Sequence, residues 1–134
     1  MRIKPLKKGR LRVFRREWDK VATDVVWDPH EYTFGLFEGK LLLGYANFEI
    51  NGGVGELKEI LVAERARNKK YGKALVGYFR HFCQKGGCHK LVLRTSEEHT
   101  EAMKFYENCG FRREAVHKRD KNNLTWYTYS LFLK

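Results

Sequence analysis

The sequence predicts an α/β fold, a mixed and mostly antiparallel sheet flanked by helices, and three stretches predict it. Residues 55–83 read as a strand, a short basic loop and a helix. Before that unit, Tyr32 to Phe37 and Leu41 to Ile50 flank Glu38-Gly39-Lys40, and Asn51-Gly52-Gly53 turns the chain again, so three antiparallel strands follow one another. After it come a short, almost wholly apolar run from Leu91 to Thr95, an amphipathic helix and a last pair of strands. A chain of 134 residues is sized for one buried core, so residues 1–134 are expected to form a single domain.

Each element has a local reason. Met1, Ile3 and Pro5 start an edge strand that Lys7-Lys8-Gly9-Arg10 breaks. Leu11, Phe14, Trp18 and Val21 then recur at the spacing of a short amphipathic helix with a very basic outer face, and Asp28-Pro29-His30 is a loop. In the strand that begins at Gly55, the apolar Leu57 and Ile60 stand three apart, which breaks strict alternation. A bulge between them returns both to the core and turns Glu56 and Glu59 together to the other side. Tyr71, Ala74, Leu75, Tyr78, Phe79 and Phe82 make one apolar helical stripe, which Gly86-Gly87 ends. The helix from Thr100 to Cys109 carries Ala102, Phe105, Tyr106 and Cys109 on one face, with Phe105 reading as core, and Gly110 stops it. Phe111 to Val116 and Trp126 to Leu133 form a final hairpin turned at Asp120-Lys121-Asn122-Asn123.

Composition narrows the function classes. An apolar fraction of 43% with 9 Phe, 7 Tyr and 3 Trp argues for a packed globule. No apolar run approaches membrane-spanning length and no signal-peptide pattern opens the chain, so a cytoplasmic protein is expected, with no membrane partner. Three cysteines fit free thiols in a reducing compartment. His81, Cys83, Cys88 and His89 lack the paired spacing of a zinc site, and no metal is expected. The net charge of +11 favours polyanionic partners. Coenzyme A is one; nucleic acid is another, and weak RNA binding is expected of the basic first sixteen residues, Arg12 and Arg15 among them.

The loop before the long helix holds Arg67, Asn68, Lys69, Lys70 and Lys73 around Gly72. A helix start with free N–H groups beside four cations suits a phosphate or pyrophosphate. Ile60-Leu61-Val62 followed by Arg67-Asn68-Lys69-Lys70-Tyr71-Gly72 resembles motif A of the GNAT superfamily of N-acetyltransferases, with Lys70 in place of that pattern's first glycine. Ala102-Met103-Lys104-Phe105-Tyr106-Glu107-Asn108-Cys109-Gly110-Phe111 resembles the same family's Ala-x-x-Phe-Tyr-x-x-x-Gly-Phe helix end.

The resemblance implies a GNAT-like mixed sheet with a central splayed pair of parallel strands, and acetyl-CoA as co-substrate of an N-acetyltransferase. It places the pantetheine gap between Ile60–Val62 and Leu91–Thr95, with a backbone N–H near Leu61 or Val62 facing the thioester carbonyl. It implies Arg67, Asn68, Lys69, Lys70, Gly72 and Lys73 as pyrophosphate ligands, and Tyr106 as general acid toward the departing thiolate. Glu56 is the first candidate for general base and Glu59 the second. His99 stands where many relatives place an asparagine that contacts the pantetheine arm, and it either donates similarly or caps its helix. The short segment before the first hairpin implies a site that is open or completed by a second subunit, a homodimer. The acceptor is expected to be a small amine or a protein amino group. The alternatives are an amino group borne on RNA or a ribosomal particle, and a non-catalytic acetyl-CoA-binding module.

Overall fold

A computed structural model describes residues 30–133, which form a mixed six-stranded sheet with two helices. The strands are β1 (His30–Glu38), β2 (Leu41–Asn51), β3 (Val54–Val62), β4 (Lys90–Ser96), β5 (Arg112–His117) and β6 (Trp126–Phe132). The helices are α1 (Tyr71–Lys85) and α2 (Thr100–Asn108). The spatial order is β1-β2-β3-β4-β6-β5, and every neighbouring pair is antiparallel except β3–β4. The edge strand, basic helix and basic RNA-binding face expected before residue 30 lie outside the described residues.

The hairpin turns fall where the glycines stand. Gly39, Gly52 and Gly53 all adopt positive φ, which costs glycine nothing. In the β2–β3 pairing, Asn47 opposes Glu59 while Phe48 opposes Leu57, so Lys58 is the extra residue of a bulge. Leu57 is buried and Ile60 packs on the same core, as the broken alternation predicts.

Both helices cover one sheet face, because β3–α1–β4 and β4–α2–β5 are crossovers made in the same direction across the sheet. The core joins Phe48, Leu57, Leu91, Leu93 and Tyr129 of the sheet to Leu75, Val76, Phe79 and Cys83 of α1 and Tyr106 of α2. The helical stripe is rotated from the one expected: Val76 and Cys83 are buried, whereas Ala74 and Tyr78 are exposed. Tyr78 instead lays its ring edge-on against Phe34 at 4.8 Å, at the flank where β1 meets α1.

β3 and β4 pair only from Val54–Lys90 to Leu57–Leu93. Past the Lys58 bulge, β3 runs on to Val62 against β2, and β4 runs on to Ser96 against β6. The two central strands therefore part, leaving a gap in the middle of the sheet. The gap lies between residues 58–62 and 94–96. Leu91, Val92 and Leu93, expected beside it, are instead on paired rungs, because β4 keeps its register with β3 until the bulge ends it.

Candidate functional site

The gap opens onto a cleft of about 440 Å3 on the helix-covered side, between the start of α1 and the end of α2. One wall is Val62 and the loop that holds Ala66, Arg67, Asn68 and Lys70, the floor is the first turn of α1 with Gly72 and Lys73, and the opposite wall is Phe105, Asn108 and Cys109. Of the residues expected to hold a pyrophosphate, Arg67, Asn68, Lys70, Gly72 and Lys73 converge here, together with Val62, one of the two residues expected to offer a backbone donor. Lys69 is exposed and outside the lining.

The loop geometry builds an anion seat. Asn68 and Lys70 both have positive φ, and Lys70, at +63°, is the N-cap residue of α1. The position that the resembled pattern gives to glycine thus adopts a left-handed conformation, of the kind that favours glycine, with a lysine in it. The Lys70 side chain makes no capping bond, and its carbonyl accepts from Ala74 N–H, so the preceding N–H groups of the first turn point outward without helical partners. Gly72 has no side chain to fill the cleft; a Cβ there would meet the Phe105 ring at 3.4 Å.

Backbone alternation separates Leu61 from Val62. Ala63 N–H donates to the Leu43 carbonyl at 2.7 Å, so Ala63 and Leu61 turn their N–H groups toward β2. Val62 turns its own toward the gap, where its carbonyl accepts from Arg67 Nε at 3.4 Å. Val62, not Leu61, has the backbone donor on the open side. The Leu61 side chain is 48% exposed and outside the cleft.

Tyr106 is nine-tenths buried and packs edge-on against Phe105 and Phe111. Burial, with the nearby Cys109 thiol, pushes its phenol up to about 12. Phe105 is half-buried and forms a cleft wall, not the interior position its spacing suggested, because α2 ends at the cleft mouth. Cys109 stands beside it; burial raises its thiol, and the Lys73 ammonium opposes that shift.

The two glutamates lie on the sheet face away from α1 and α2, on opposite sides of the bulge. Glu56 is on a paired rung, opposite Glu49 and Val92, with Lys58 Nζ 3.6 Å from its carboxylate. Glu59 stands past the last rung, at the gap, and accepts a hydrogen bond of 2.5 Å from Tyr45 Oη. That bond holds the Tyr45 phenol above its ordinary value. His99 occupies the N-cap position of α2, exposed, with no side-chain capping bond and outside the cleft lining. Ala66, Tyr71, Asn108 and Cys109 also line the cleft, unexpected from the sequence, although Tyr71 lies within the quoted loop motif and Asn108 and Cys109 within the helix-end motif.

The family model described as the acetyltransferase (GNAT) family matches residues 5–111. Glucosamine 6-phosphate N-acetyltransferase of Arabidopsis thaliana is 32% identical over 65 residues, 48% of this chain and 42% of that protein, so the chain matches less than half the length of this curated relative. The fold is shared with an acetyltransferase from Bacillus cereus ATCC 14579, at TM-score 0.77 and 15% identity, over 99% of this chain and 98% of that one. It is shared also with a Bacillus subtilis acetyltransferase solved in complex with CoA, at TM-score 0.72 and 16% identity, over 99% and 97% of the two chains.

Proposed function

The chain belongs to the acetyltransferase (GNAT) family, and from that premise we propose that it moves the acetyl group of acetyl-CoA directly to a primary amine. One observation carries the reading: the cationic start of α1 and the open backbone edge at Val62 line a single cleft that meets the gap between β3 and β4. Arg67, Lys70 and Lys73 hold the pyrophosphate by charge, and the free N–H groups of the first turn add oriented donors. Gly72 leaves room opposite Phe105 for the cofactor's path. Acetyl-CoA supplies an activated acyl group whose carbonyl oxygen gains charge during transfer, and in this reading Val62 N–H donates to it.

Tyr106 serves as proton donor to the leaving sulfur. With its phenol pushed up to about 12, it stays protonated at any physiological pH. Complete transfer to an ordinary thiolate near 8.5 is about 5 kcal/mol uphill, so the role is that of a hydrogen-bond donor more than a full acid. Glu56 or Glu59, on the other face of the sheet, takes the ammonium proton, directly or through water. Glu59 has the nearer place along the strand, and Tyr45 fixes its orientation. The acceptor we favour is a small amine, handled by a cytoplasmic protein. The name of the Arabidopsis relative points the same way, since its acceptor is an amino sugar phosphate.

Lysine in place of glycine at position 70 is the feature that favours a module binding acetyl-CoA without transferring it. The left-handed conformation of Lys70, one that glycine favours, weighs against that reading. Calorimetry with acetyl-CoA, paired with thiol release in the presence of amines, tests the proposal. Glu59→Gln and Glu56→Gln then assign the base: the true base variant loses rate most at low pH, where the amine is hardest to deprotonate. Neither losing rate would remove both carboxylates from the mechanism.

A further inference from the structure

We infer that a second pocket, at the ends of β4, β5 and β6, takes the acceptor, and that the acceptor bears an acidic group, phosphate or carboxylate, held by Arg94. The inference rests on the transferase reading above and names the substrate class of that same site. The pocket has a volume of about 240 Å3 and is lined by Arg94, His117, Asp120, Lys121 and Trp126. That is at the small end of ligand sites, suited to a compact metabolite or one end of a larger one.

Its place is set by the topology. Leu93 and Thr95 are buried toward α1 and α2, so Arg94 between them belongs to the opposite face of the sheet. It is also the first residue of β4 beyond the last rung to β3. Arg94 therefore stands at the same gap as Val62, approached from the other side. A ligand seated there presents an amine to the gap on the side where Glu56 and Glu59 lie. Transfer between two ligands held on opposite sides of one opening needs no rearrangement of the sheet.

The charge is uncommitted. Arg94 makes no hydrogen bond or ion pair among the described residues, in contrast to Arg113, whose guanidinium stacks 3.9 Å from the Tyr127 ring and donates to Tyr129 Oη. The Lys121 ammonium likewise has no ion pair among the described residues. Asp120 is the one acidic lining residue, and its Oδ1 is occupied by Lys121 N–H at 2.9 Å. Among the described lining residues two cations stand against one carboxylate, a positive balance.

The walls are fixed in advance. Trp126 Nε1 donates to the Lys121 carbonyl at 2.9 Å, His117 Nε2 is 3.0 Å from Thr128 Oγ1, and Asp120 N–H donates to the Leu124 carbonyl at 2.9 Å. Ser96, in register with Trp126, is buried with its Oγ unpartnered and lies two residues beyond Arg94. A guanidinium fork and an indole lining one pocket match a planar or tetrahedral oxyanion attached to a short carbon skeleton.

The test follows the Trp126 indole N–H of the labelled full chain by heteronuclear NMR, assigned with Trp126→Phe. Two matched pairs are titrated: ethanolamine with O-phosphoethanolamine, and 3-aminopropanol with β-alanine. At least one acidic member should move the signal saturably while its neutral partner does not, and which one does separates phosphate from carboxylate. Arg94→Gln should weaken that binding by about ten- to a hundredfold, as expected for hydrogen bonds to a charged group, with Lys104→Gln unchanged. Neither acid binding, both members of each pair binding alike, or Arg94→Gln binding like the wild type would each overturn the inference. Thiol release from acetyl-CoA is scored separately. Acid binding at Trp126 with no turnover of any amine leaves the pocket standing and sinks the transferase reading. Turnover whose KM ignores Arg94→Gln does the reverse.

Discussion

Replacing Lys70 by glycine should stabilise the fold while weakening acetyl-CoA binding, and the two effects have separate causes. Lys70 holds φ +63° and ψ 21° at the start of α1. That conformation costs an L-residue about 1–2 kcal/mol, which glycine does not incur. Glycine adds about 0.5–1 kcal/mol of chain entropy to the unfolded state, so the net gain is roughly 0.5–1 kcal/mol. For a chain of this size that is a rise of about 3 °C in Tm. The folded state loses no capping bond, because the side chain makes none. The cleft loses one exposed cation, worth at most about 1 kcal/mol, or about fivefold in affinity. Lys70→Ala is the control: it removes the same charge but keeps a Cβ in the left-handed conformation. Thermal unfolding by circular dichroism and calorimetry with acetyl-CoA at two salt concentrations read both quantities. A destabilised Lys70→Gly, or a Lys70→Ala that gains as much as the glycine, would refute the argument from backbone strain.

Three further tests address the cleft and Tyr106, which is not itself a lining residue but packs against Phe105. Gly72→Val puts branched carbons where a Cβ alone already meets Phe105 at 3.4 Å, so acetyl-CoA binding should be lost with a near-normal Tm; retained calorimetric binding would move the cofactor elsewhere. Tyr106→Phe should lower turnover by roughly ten- to a thousandfold at similar acetyl-CoA affinity, and the wild-type rate should show no alkaline limb from this phenol below pH 10, since its pKa stands at about 12. Among the cysteines, Cys109 should alkylate fastest and be protected by acetyl-CoA, while Cys83 stays inert behind a thiol pushed up to about 12 by burial; mass-mapped iodoacetamide labelling without such protection would contradict the placement of Cys109 in the cleft.

Much of the scaffold is legible in the sequence because its signals are local. The three-residue spacing of Leu57 and Ile60 marks the Lys58 bulge, Gly39 and Gly52-Gly53 mark the first two hairpins, and Asn122-Asn123, also at positive φ, mark the last. The rotation of the α1 stripe was not legible. Tyr78 and Val76 are both apolar enough to face the core, and only the tertiary contact of Tyr78 with Phe34 of β1 marks the tyrosine as the one that takes the flank. The choice of Val62 over Leu61 depends on the direction of backbone N–H groups, which side-chain identity does not encode. The Arg94 pocket had no motif at all. Residues 94, 117, 120, 121 and 126 meet only through the registers of β4 with β6 and β5 with β6, and a scattered set with no period leaves no pattern to read.

The most direct test of the account mixes the full chain with acetyl-CoA and a panel of neutral, phosphorylated and carboxylated primary amines, and follows free thiol together with the acetylated amine by mass spectrometry. Amine-dependent thiol release, matched by an equal amount of N-acetylated product and lost in Gly72→Val, is the result predicted. Saturable binding of acetyl-CoA to the cleft with no acetylated product from any amine would contradict it and leave a binding module in place of a transferase.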